Sequence, residues 1–87
     1  MLNELKNSPK VVGIKQLRKA LNRGTVKQVL LARDADPALT EPLEALAEGT
    51  EVPVEWVSSM KELGQACGIA VGAAAAGILA QQRTPGL

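Results

Sequence analysis

The feature that most constrains this sequence is the alternation of short apolar runs with segments of helical periodicity, most of them bounded by glycine or proline. Residues 11–12 and 26–32 are rich in β-branched and other apolar side chains, which favours strands. Between them, Ile14, Leu17 and Leu21 recur at the spacing of one helix face. A chain that alternates strands and helices in this way packs its helices against the faces of a sheet.

The middle of the chain continues this pattern. Asp36 and Pro37 match the N-cap and the first residue of a helix, and apolar residues at helical spacing carry that helix to about residue 49. In residues 52–56, apolar side chains alternate with Pro53 and Glu55, which predicts a strand. Because proline cannot donate a ladder hydrogen bond, we expect this strand at a sheet edge or at its own first residue.

The two ends of the chain are less regular. Residues 2–7 are expected to form a short helix that stops before Pro9. Ser59 and Glu62 have the spacing of a capping box, which predicts a further helix ending near Gly68. In residues 71–80 the alanines favour a helix, whereas the glycines and the need to complete a sheet favour a strand. The sequence pattern leaves both alternatives open.

Together these elements predict the α/β class and an α/β/α sandwich around a small mixed sheet. The 87 residues fit one domain, which we place at residues 1–82 with a flexible tail at residues 83–87. The longest stretch of low polarity, residues 69–80, is shorter than the ~20 residues of a membrane span. We therefore expect a soluble, cytoplasmic monomer with no membrane partner.

Charge is distributed unevenly along the chain, although the net charge is only +1. Residues 1–33 hold eight basic side chains and one acidic one, whereas residues 34–66 hold eight acidic side chains and one basic one. A basic half suits a phosphate backbone, and an acidic half discourages indiscriminate coating of nucleic acid. The competing interpretation is that the charges only solvate helix surfaces.

The composition also restricts the available chemistry. The chain has no histidine and a single cysteine, Cys67, which excludes an internal disulfide, a thiolate metal cage and the usual general base. Asp34 and Asp36 have no third acid nearby to complete a cation site, and Cys67 lies on the apolar face of its predicted helix. No pair of nucleophile and base can be assembled, so we expect no enzyme activity, no metal and no cofactor.

The first candidate binding segment is the start of the helix that follows Gly13. A strand that ends at glycine and feeds a helix leaves backbone N–H groups where anions are favoured and a phosphate backbone can approach closely. Lys15, Gln16 and Lys19 are spaced so that they can address one ligand. Lysine and glutamine can pair with base edges, whereas Lys19 and Arg23 are better placed for phosphates. The alternative is a solvated helix face.

The second candidate segment is residues 68–72, in which two glycines enclose a small apolar triplet. Such a loop can offer a dry surface to an unstacked base, and proteins read unstacked bases most readily in RNA. The triplet consists of Ile69, Ala70 and Val71. The alternative is that Ile69 and Val71 enter the core, and we expect this of at least one of them.

Four motifs occur in an order that resembles one known family: residues 13–19 (GIKQLRK), 32–37 (ARDADP), 56–59 (WVSS) and 63–72 (LGQACGIAVG). They resemble the kink-turn-binding ribosomal protein family of the archaeal L7Ae type, and most closely its small YbxF-like bacterial branch. The similarity extends from about residue 11 to about residue 79.

This resemblance implies a three-layer α/β/α sandwich with a small mixed four-stranded sheet, in which residues 71–80 supply a strand. It also implies recognition of an RNA internal loop with tandem sheared G·A pairs and a flipped-out bulge nucleotide. It assigns Gly13, Lys15 and Gln16, with Ile14 in the same segment, to the guanines and the adjoining RNA backbone. It assigns Lys19 to a phosphate and Asp36 to a place near the flipped base. The loop over the bulge is assigned to Ile69, Ala70 and Val71.

The chain departs from the family pattern in two places, one of two residues and one of a single residue. Many archaeal and eukaryotic members have Asn-Glu where this chain has Lys15 and Gln16, a version that bacterial relatives share. Ala70 stands where a glutamate is frequent, so we expect no polar contact from that side chain.

We therefore expect an RNA-binding protein of ribosomal type that stabilises a kinked RNA. Ribosomal RNA, riboswitch RNA and the ribosome itself are the candidate partners. The alternative of another class is a protein-interaction module that uses the acidic helix at residues 37–48 and the edge strand at residues 52–56. Salt-dependent RNA binding separates the two hypotheses.

Overall fold

The computed structural model describes residues 8–80, within which strands and helices alternate. The strands are β1 (Lys10–Val12), β2 (Val26–Ala32), β3 (Val54–Val57) and β4 (Ala75–Leu79). The helices are α1 (Ile14–Arg23), α2 (Pro37–Gly49) and α3 (Met60–Ala66). The helix expected at residues 2–7 and the tail expected at residues 83–87 lie outside the described residues. None of these three helices is long and apolar enough to cross a membrane.

The helix ends follow the predicted signals, with one difference at α3. Asp36 caps α2 through its Oδ1, and Gly24 ends α1 in the left-handed conformation with a φ of 73°. At α3 the Glu62 N–H donates to Ser59 Oγ at 3.1 Å, but the Glu62 carboxylate accepts from the hydroxyl of Ser58. Half of the predicted capping box therefore forms, and the other half is replaced by a side-chain hydrogen bond.

The sheet joins its strands in the order β1-β4-β2-β3. β3 runs parallel to β2, and β4 runs antiparallel to both β1 and β2, so the sheet is mixed as predicted. β3 lies at the edge but begins at Val54, because the Val52 N–H donates to the Ala47 carbonyl at 2.8 Å and closes the end of α2. The segment that the pattern left open is a strand from Ala75 onward, as the family resemblance implied.

Helices cover both faces of the sheet, which confirms the three-layer sandwich. On one face, α1 and α2 pack against β2 in a core whose large buried members are Leu17, Leu21, Leu43, Val29 and Leu31. On the other face, α3 packs in a core that includes Leu63, Cys67, Leu30, Val57 and Ile78.

The strand directions bring several connections to one end of the sheet. β1, β2 and β3 point the same way and β4 points the opposite way, so the first three strands end where β4 begins. This end, called the loop end below, gathers residue 13, the β2–α2 loop at residues 33–36, residues 58–59 and the loop at residues 68–72. Both segments that were singled out in the sequence reach this end.

Candidate nucleic-acid interface

α1 begins at the loop end without a side-chain cap. Gly13 is its N-cap with a φ of 104°, a conformation that residues with a Cβ rarely adopt. The Leu17 N–H donates to the Gly13 carbonyl at 3.0 Å, so the amides of residues 14–16 precede the first hydrogen bond of the helix. A helix start of this kind favours an anion, because its amides and its dipole both present positive charge.

The exposed face of α1 is basic. Leu17, Ala20 and Leu21 are buried, and Ile14 is half-buried against the same core. The exposed side chains of the helix are Lys15, Gln16, Arg18, Lys19, Asn22 and Arg23. Arg18 was not among the predicted RNA contacts, although the helical spacing that buries Leu17 also places Arg18 on the exposed face.

Arg23 does not lie at the loop end with the rest of its segment. A helix rises ~1.5 Å per residue, so Arg23 is about 13 Å along the axis from Ile14. The Ala80 N–H donates to the Thr25 carbonyl at 2.8 Å, which places this end of α1 beside the end of β4. The predicted segment therefore extends from the loop end, at Lys15, to the opposite end of the sheet.

The loop at residues 68–72 presents an exposed apolar surface. Ala70 and Val71 are both exposed, and Val71 is 70% exposed. Ile69 is half-buried and packs against the core beneath α3. The expectation that at least one of Ile69 and Val71 would enter the core is met by Ile69. Loop 68–72 thus has one apolar side chain as an anchor and another that faces solvent.

Close backbone contacts hold loop 68–72 on α3. The Ile69 N–H donates to the Gly64 carbonyl and the Ala73 N–H donates to the Met60 carbonyl, both at 3.0 Å. Gly64 has no room for a side chain, since a Cβ there would lie 2.1 Å from the Val71 carbonyl oxygen. Sequence reasoning missed Gly64, although a glycine inside a helix often indicates a packing reason or a close approach.

The start of β4 connects the basic helix start to loop 68–72. The Gly13 N–H donates to the Ala75 carbonyl at 2.9 Å, and the Ala32 N–H donates to the Ala74 carbonyl at 2.9 Å. The residues that follow the loop are therefore bonded on both sides, to the end of β1 and to the end of β2. The loop and the start of α1 are held in one fixed arrangement.

The two aspartates of the β2–α2 loop both accept backbone hydrogen bonds at helix starts. Asp36 Oδ1 accepts the Ala38 N–H at 2.9 Å, and Asp34 Oδ1 accepts the Met60 N–H at 2.8 Å. The role of Asp34 was not predicted, because it lies 26 residues from Met60 and no local pattern signals the contact. Among residues 8–80, no group of three or more His, Cys, Asp or Glu side chains could hold a metal ion.

Cys67 lies beneath loop 68–72 as a buried residue at the end of α3. Burial raises the pKa of its thiol above the ordinary value of 9.0, and the positive charge of Lys10 opposes this increase. A thiol that stays protonated is a poor nucleophile and a poor metal ligand. Cys67 is therefore a small core residue, as its sequence position predicted.

Comparisons with known proteins agree with this geometry. The model of the family described as "Ribosomal protein L7Ae/L30e/S12e/Gadd45 family" matches residues 2–85. A Bacillus pumilus protein named "RNA-binding protein" is 52% identical over 69 residues, which cover 79% of this chain and 84% of that protein. "RNA-binding protein YbxF" of Geobacillus stearothermophilus is 49% identical over 69 residues, again 79% of this chain and 84% of the relative.

Solved structures extend the similarity to the whole sandwich. The "15.5kD RNA binding protein" of Giardia lamblia has a TM-score of 0.84 at 30% identity, and the match covers 93% of this chain and 72% of that one. A Bacillus halodurans protein of unknown function has a TM-score of 0.81 at 26% identity, covering 88% of this chain and 81% of that one. The chain belongs to the L7Ae/L30e/S12e/Gadd45 family of ribosomal proteins and to its YbxF-like branch.

Proposed function

We propose that this protein binds RNA, and that it recognises and stabilises the kink-turn, in which sheared G·A pairs flank a sharp bend with a flipped-out bulge nucleotide. The observation that carries the proposal is the meeting of a basic, uncapped helix start and an exposed apolar loop at the loop end. Relatives that are named as RNA-binding proteins support RNA as the ligand. Family membership also confirms the expectation that the chain is not an enzyme.

The start of α1 supplies the contacts to phosphates and base edges. A bend crowds phosphates together, and the positive end of a helix with lysines beside it offsets their repulsion. Lys15 and Gln16 project from the first turn. Together with Gly13, they contact the G·A pairs and the adjoining RNA backbone. Lys19 lies one turn further along and neutralises a phosphate. Base-edge contacts select the sequence, whereas phosphate contacts set the position of the RNA.

Loop 68–72 supplies the surface for the flipped-out nucleotide. Ala70 and Val71 present apolar atoms to solvent, and Ile69 braces them from the core side. An unstacked base gains by covering such a surface, since both are then removed from water. Asp36 lies at the loop end, where it borders the same nucleotide. Because residue 70 is alanine, its side chain contributes no hydrogen bond to this nucleotide.

Stabilisation of the kink follows from selective binding. A protein that binds only the bent form shifts the RNA population toward it, even when that form is a minor one beforehand. The surface that we assign to the RNA is already assembled in the folded chain, which lowers the cost of ordering it. Ribosomal and riboswitch RNAs, and through them the ribosome, are the partners we propose, with one copy of the protein at each kink.

The protein-interaction alternative has weaker support. The acidic helix and the edge strand both form, but β3 has only four residues and is preceded by Pro53, which cannot donate to an added strand. We assign the acidic half of the chain the role of limiting non-specific binding, because it repels nucleic acid that approaches from α2.

A binding comparison tests the proposal. We expect the protein to bind a kink-turn duplex much more tightly than a fully paired duplex of equal length in a gel-shift titration at moderate salt. A third RNA, in which Watson–Crick pairs replace the G·A pairs, should bind as weakly as the paired duplex. Equal affinity for the kink-turn and the paired duplex contradicts kink-turn recognition, and no binding to any of the three contradicts RNA binding by this surface.

A further inference from the structure

Asp34 is not one of the residues that we assign to the RNA, but it contacts an element that carries such residues. It is exposed at the loop end, and its Oδ1 accepts the Met60 N–H at 2.8 Å. A carboxylate at this place repels the phosphates of a bound RNA. A side chain whose charge opposes the ligand, but which bonds an amide on a distant helix, suggests a role in the geometry of the site.

Met60 links Asp34 to the end of loop 68–72 through two hydrogen bonds of its own backbone. Its N–H donates to Asp34, and its carbonyl accepts the Ala73 N–H at 3.0 Å just after loop 68–72. One turn later in α3, the Gly64 carbonyl accepts the Ile69 N–H at the start of that loop. Both sides of loop 68–72 are thus bonded to α3, and the first residue of α3 is bonded to the β2–α2 loop.

The middle of loop 68–72 also rests directly on α3. The Val71 carbonyl oxygen approaches Gly64 so closely that a Cβ there would lie 2.1 Å away. A Cβ on Gly72 would lie 3.2 Å from the Cβ of Met60, which is tighter than ordinary contact. Because the loop follows α3 at these points, a shift at the start of α3 moves the exposed Val71 as well.

We propose that Asp34 is a positioning residue for RNA recognition. Through its hydrogen bond to the backbone of Met60, it fixes the distance between two loops, the β2–α2 loop, which carries Asp36, and loop 68–72. This inference rests on the proposed function, in which those two loops border the flipped-out nucleotide. It requires the Oδ1 acceptor of Asp34 and not its negative charge. An asparagine, which keeps that acceptor, should therefore replace it.

The test measures the bulge preference, defined as the ratio of the affinities for a kink-turn RNA with and without its bulge nucleotide. Wild type, Asp34→Asn and Asp34→Ala are compared, and since both variants remove the same charge, any electrostatic effect is common to them. We expect Asp34→Ala to lower the preference about tenfold, equivalent to about 1.4 kcal/mol, and Asp34→Asn to keep it. The dependence of affinity on salt should be the same in both variants, because neither changes a phosphate contact.

A second variant reaches loop 68–72 without altering Asp34. Gly64→Ala displaces the Val71 carbonyl and should lower the bulge preference as well, whereas Gly49→Ala, at a helical glycine with nothing within 4 Å, should leave it unchanged. All affinities are measured at a temperature where the melting curve shows a fully folded protein. If Asp34→Ala is unfolded at every usable temperature, the inference is judged on Asp34→Asn, which must keep the bulge preference, and on Gly64→Ala, which must lower it.

Three results overturn the inference while kink-turn binding stands. These are a wild-type bulge preference in Asp34→Ala, an equal loss in Asp34→Asn and Asp34→Ala, and a wild-type preference in Gly64→Ala. If wild type itself fails to bind the kink-turn better than the paired duplex, the proposed function is wrong, and the positioning role is wrong with it.

Discussion

The start of α1 and loop 68–72 lie at the same end of the sheet, yet they differ in chemistry and in what holds them. At the helix start, Lys15 and Gln16 are exposed. The first turn is closed by a backbone hydrogen bond within the helix, from the Leu17 N–H to the Gly13 carbonyl. Residues 67–74 contain no charged side chain, and loop 68–72 takes its shape from contacts with α3. One region acts through charge on a local element, and the other acts through shape imposed by another part of the chain.

This difference teaches which perturbations each region should feel. The attraction between lysines and phosphates weakens as the salt concentration rises. Binding releases counterions from the RNA, and this release is less favourable when the surrounding salt is more concentrated. Contact between an apolar loop and a base depends little on salt and strongly on small displacements of the backbone, since dispersion decays steeply with distance. The predictions below follow from this distinction and from the packing beneath the loop, from the largest expected effect to the smallest.

Gly64→Ala should have the largest effect, and it should act on the loop. The added Cβ would lie 2.1 Å from the Val71 carbonyl, so the backbone of loop 68–72 or of α3 must move, and we expect a loss of about 3 kcal/mol in the free energy of unfolding. Urea titration with a comparison of midpoints and slopes measures this loss.

Gly49→Ala is the matched control for that substitution. The same change of residue occurs at the end of α2, where nothing lies within 4 Å of the new Cβ. We expect stability unchanged or raised by about 0.4–1 kcal/mol, because alanine restricts the unfolded chain. Equal effects at Gly64 and Gly49 would show that close packing beneath loop 68–72 is not what makes glycine necessary there.

Gln16→Ala should lower the affinity for the cognate kink-turn by about 2 kcal/mol, because it removes a base-edge contact. An RNA whose G·A pairs are replaced by Watson–Crick pairs should show little further loss. Asn22→Ala is the control, since it removes an exposed amide from the far end of the same helix. If Gln16→Ala weakens both RNAs equally while the melting temperature is unchanged, Gln16 does not read bases.

Lys19→Ala should weaken binding by about 1 kcal/mol at moderate salt. It should also reduce the slope of log K against log salt by about 0.7–0.9, as expected for one lost phosphate contact. Val71→Ser, which removes exposed apolar surface and no charge, should weaken binding with the slope unchanged. A slope that changes with Val71 and not with Lys19 would reverse the roles assigned to the two regions.

The smallest effect concerns Cys67, the ionisable side chain beneath loop 68–72. Burial raises the pKa of its thiol in the folded protein, so above the ordinary value of 9.0 the unfolded chain loses a proton that the folded chain keeps. The unfolded state then binds fewer protons, and stability falls as pH rises through that value. Urea midpoints should show a smaller fall in Cys67→Ser, and an identical pH dependence in both proteins would contradict this account.

Sequence reasoning identified the parts of the molecule that are encoded locally. The spacing of Leu17 and Leu21 defined α1, and the Asp36-Pro37 signal gave the start of α2. Residues 71–80 could not be assigned from their pattern, because the choice of strand depends on pairing with β1 and β2. The family resemblance supplied that assignment, and the structure placed the strand at residues 75–79.

For the candidate site, the pattern indicated which side chains are exposed but not how the two segments are joined. Asp34 contacts Met60, and Gly64 contacts Val71. Each contact joins two different segments of the fold, so no local periodicity in the sequence predicts it. The outward position of Val71 and the inward position of Ile69 also follow from the path of loop 68–72 over α3. Tertiary contacts of this kind become visible only when the chain is folded.

The central claim is that the folded chain stabilises a bent RNA, and the end-to-end distance of the RNA tests it most directly. A kink-turn duplex labelled at its two outer ends is followed by fluorescence energy transfer without divalent cations, while the protein is added. We predict that transfer rises and saturates at one protein per RNA, with no change for a fully paired duplex. Saturated binding without a change in transfer, or an equal change in both duplexes, would contradict the claim.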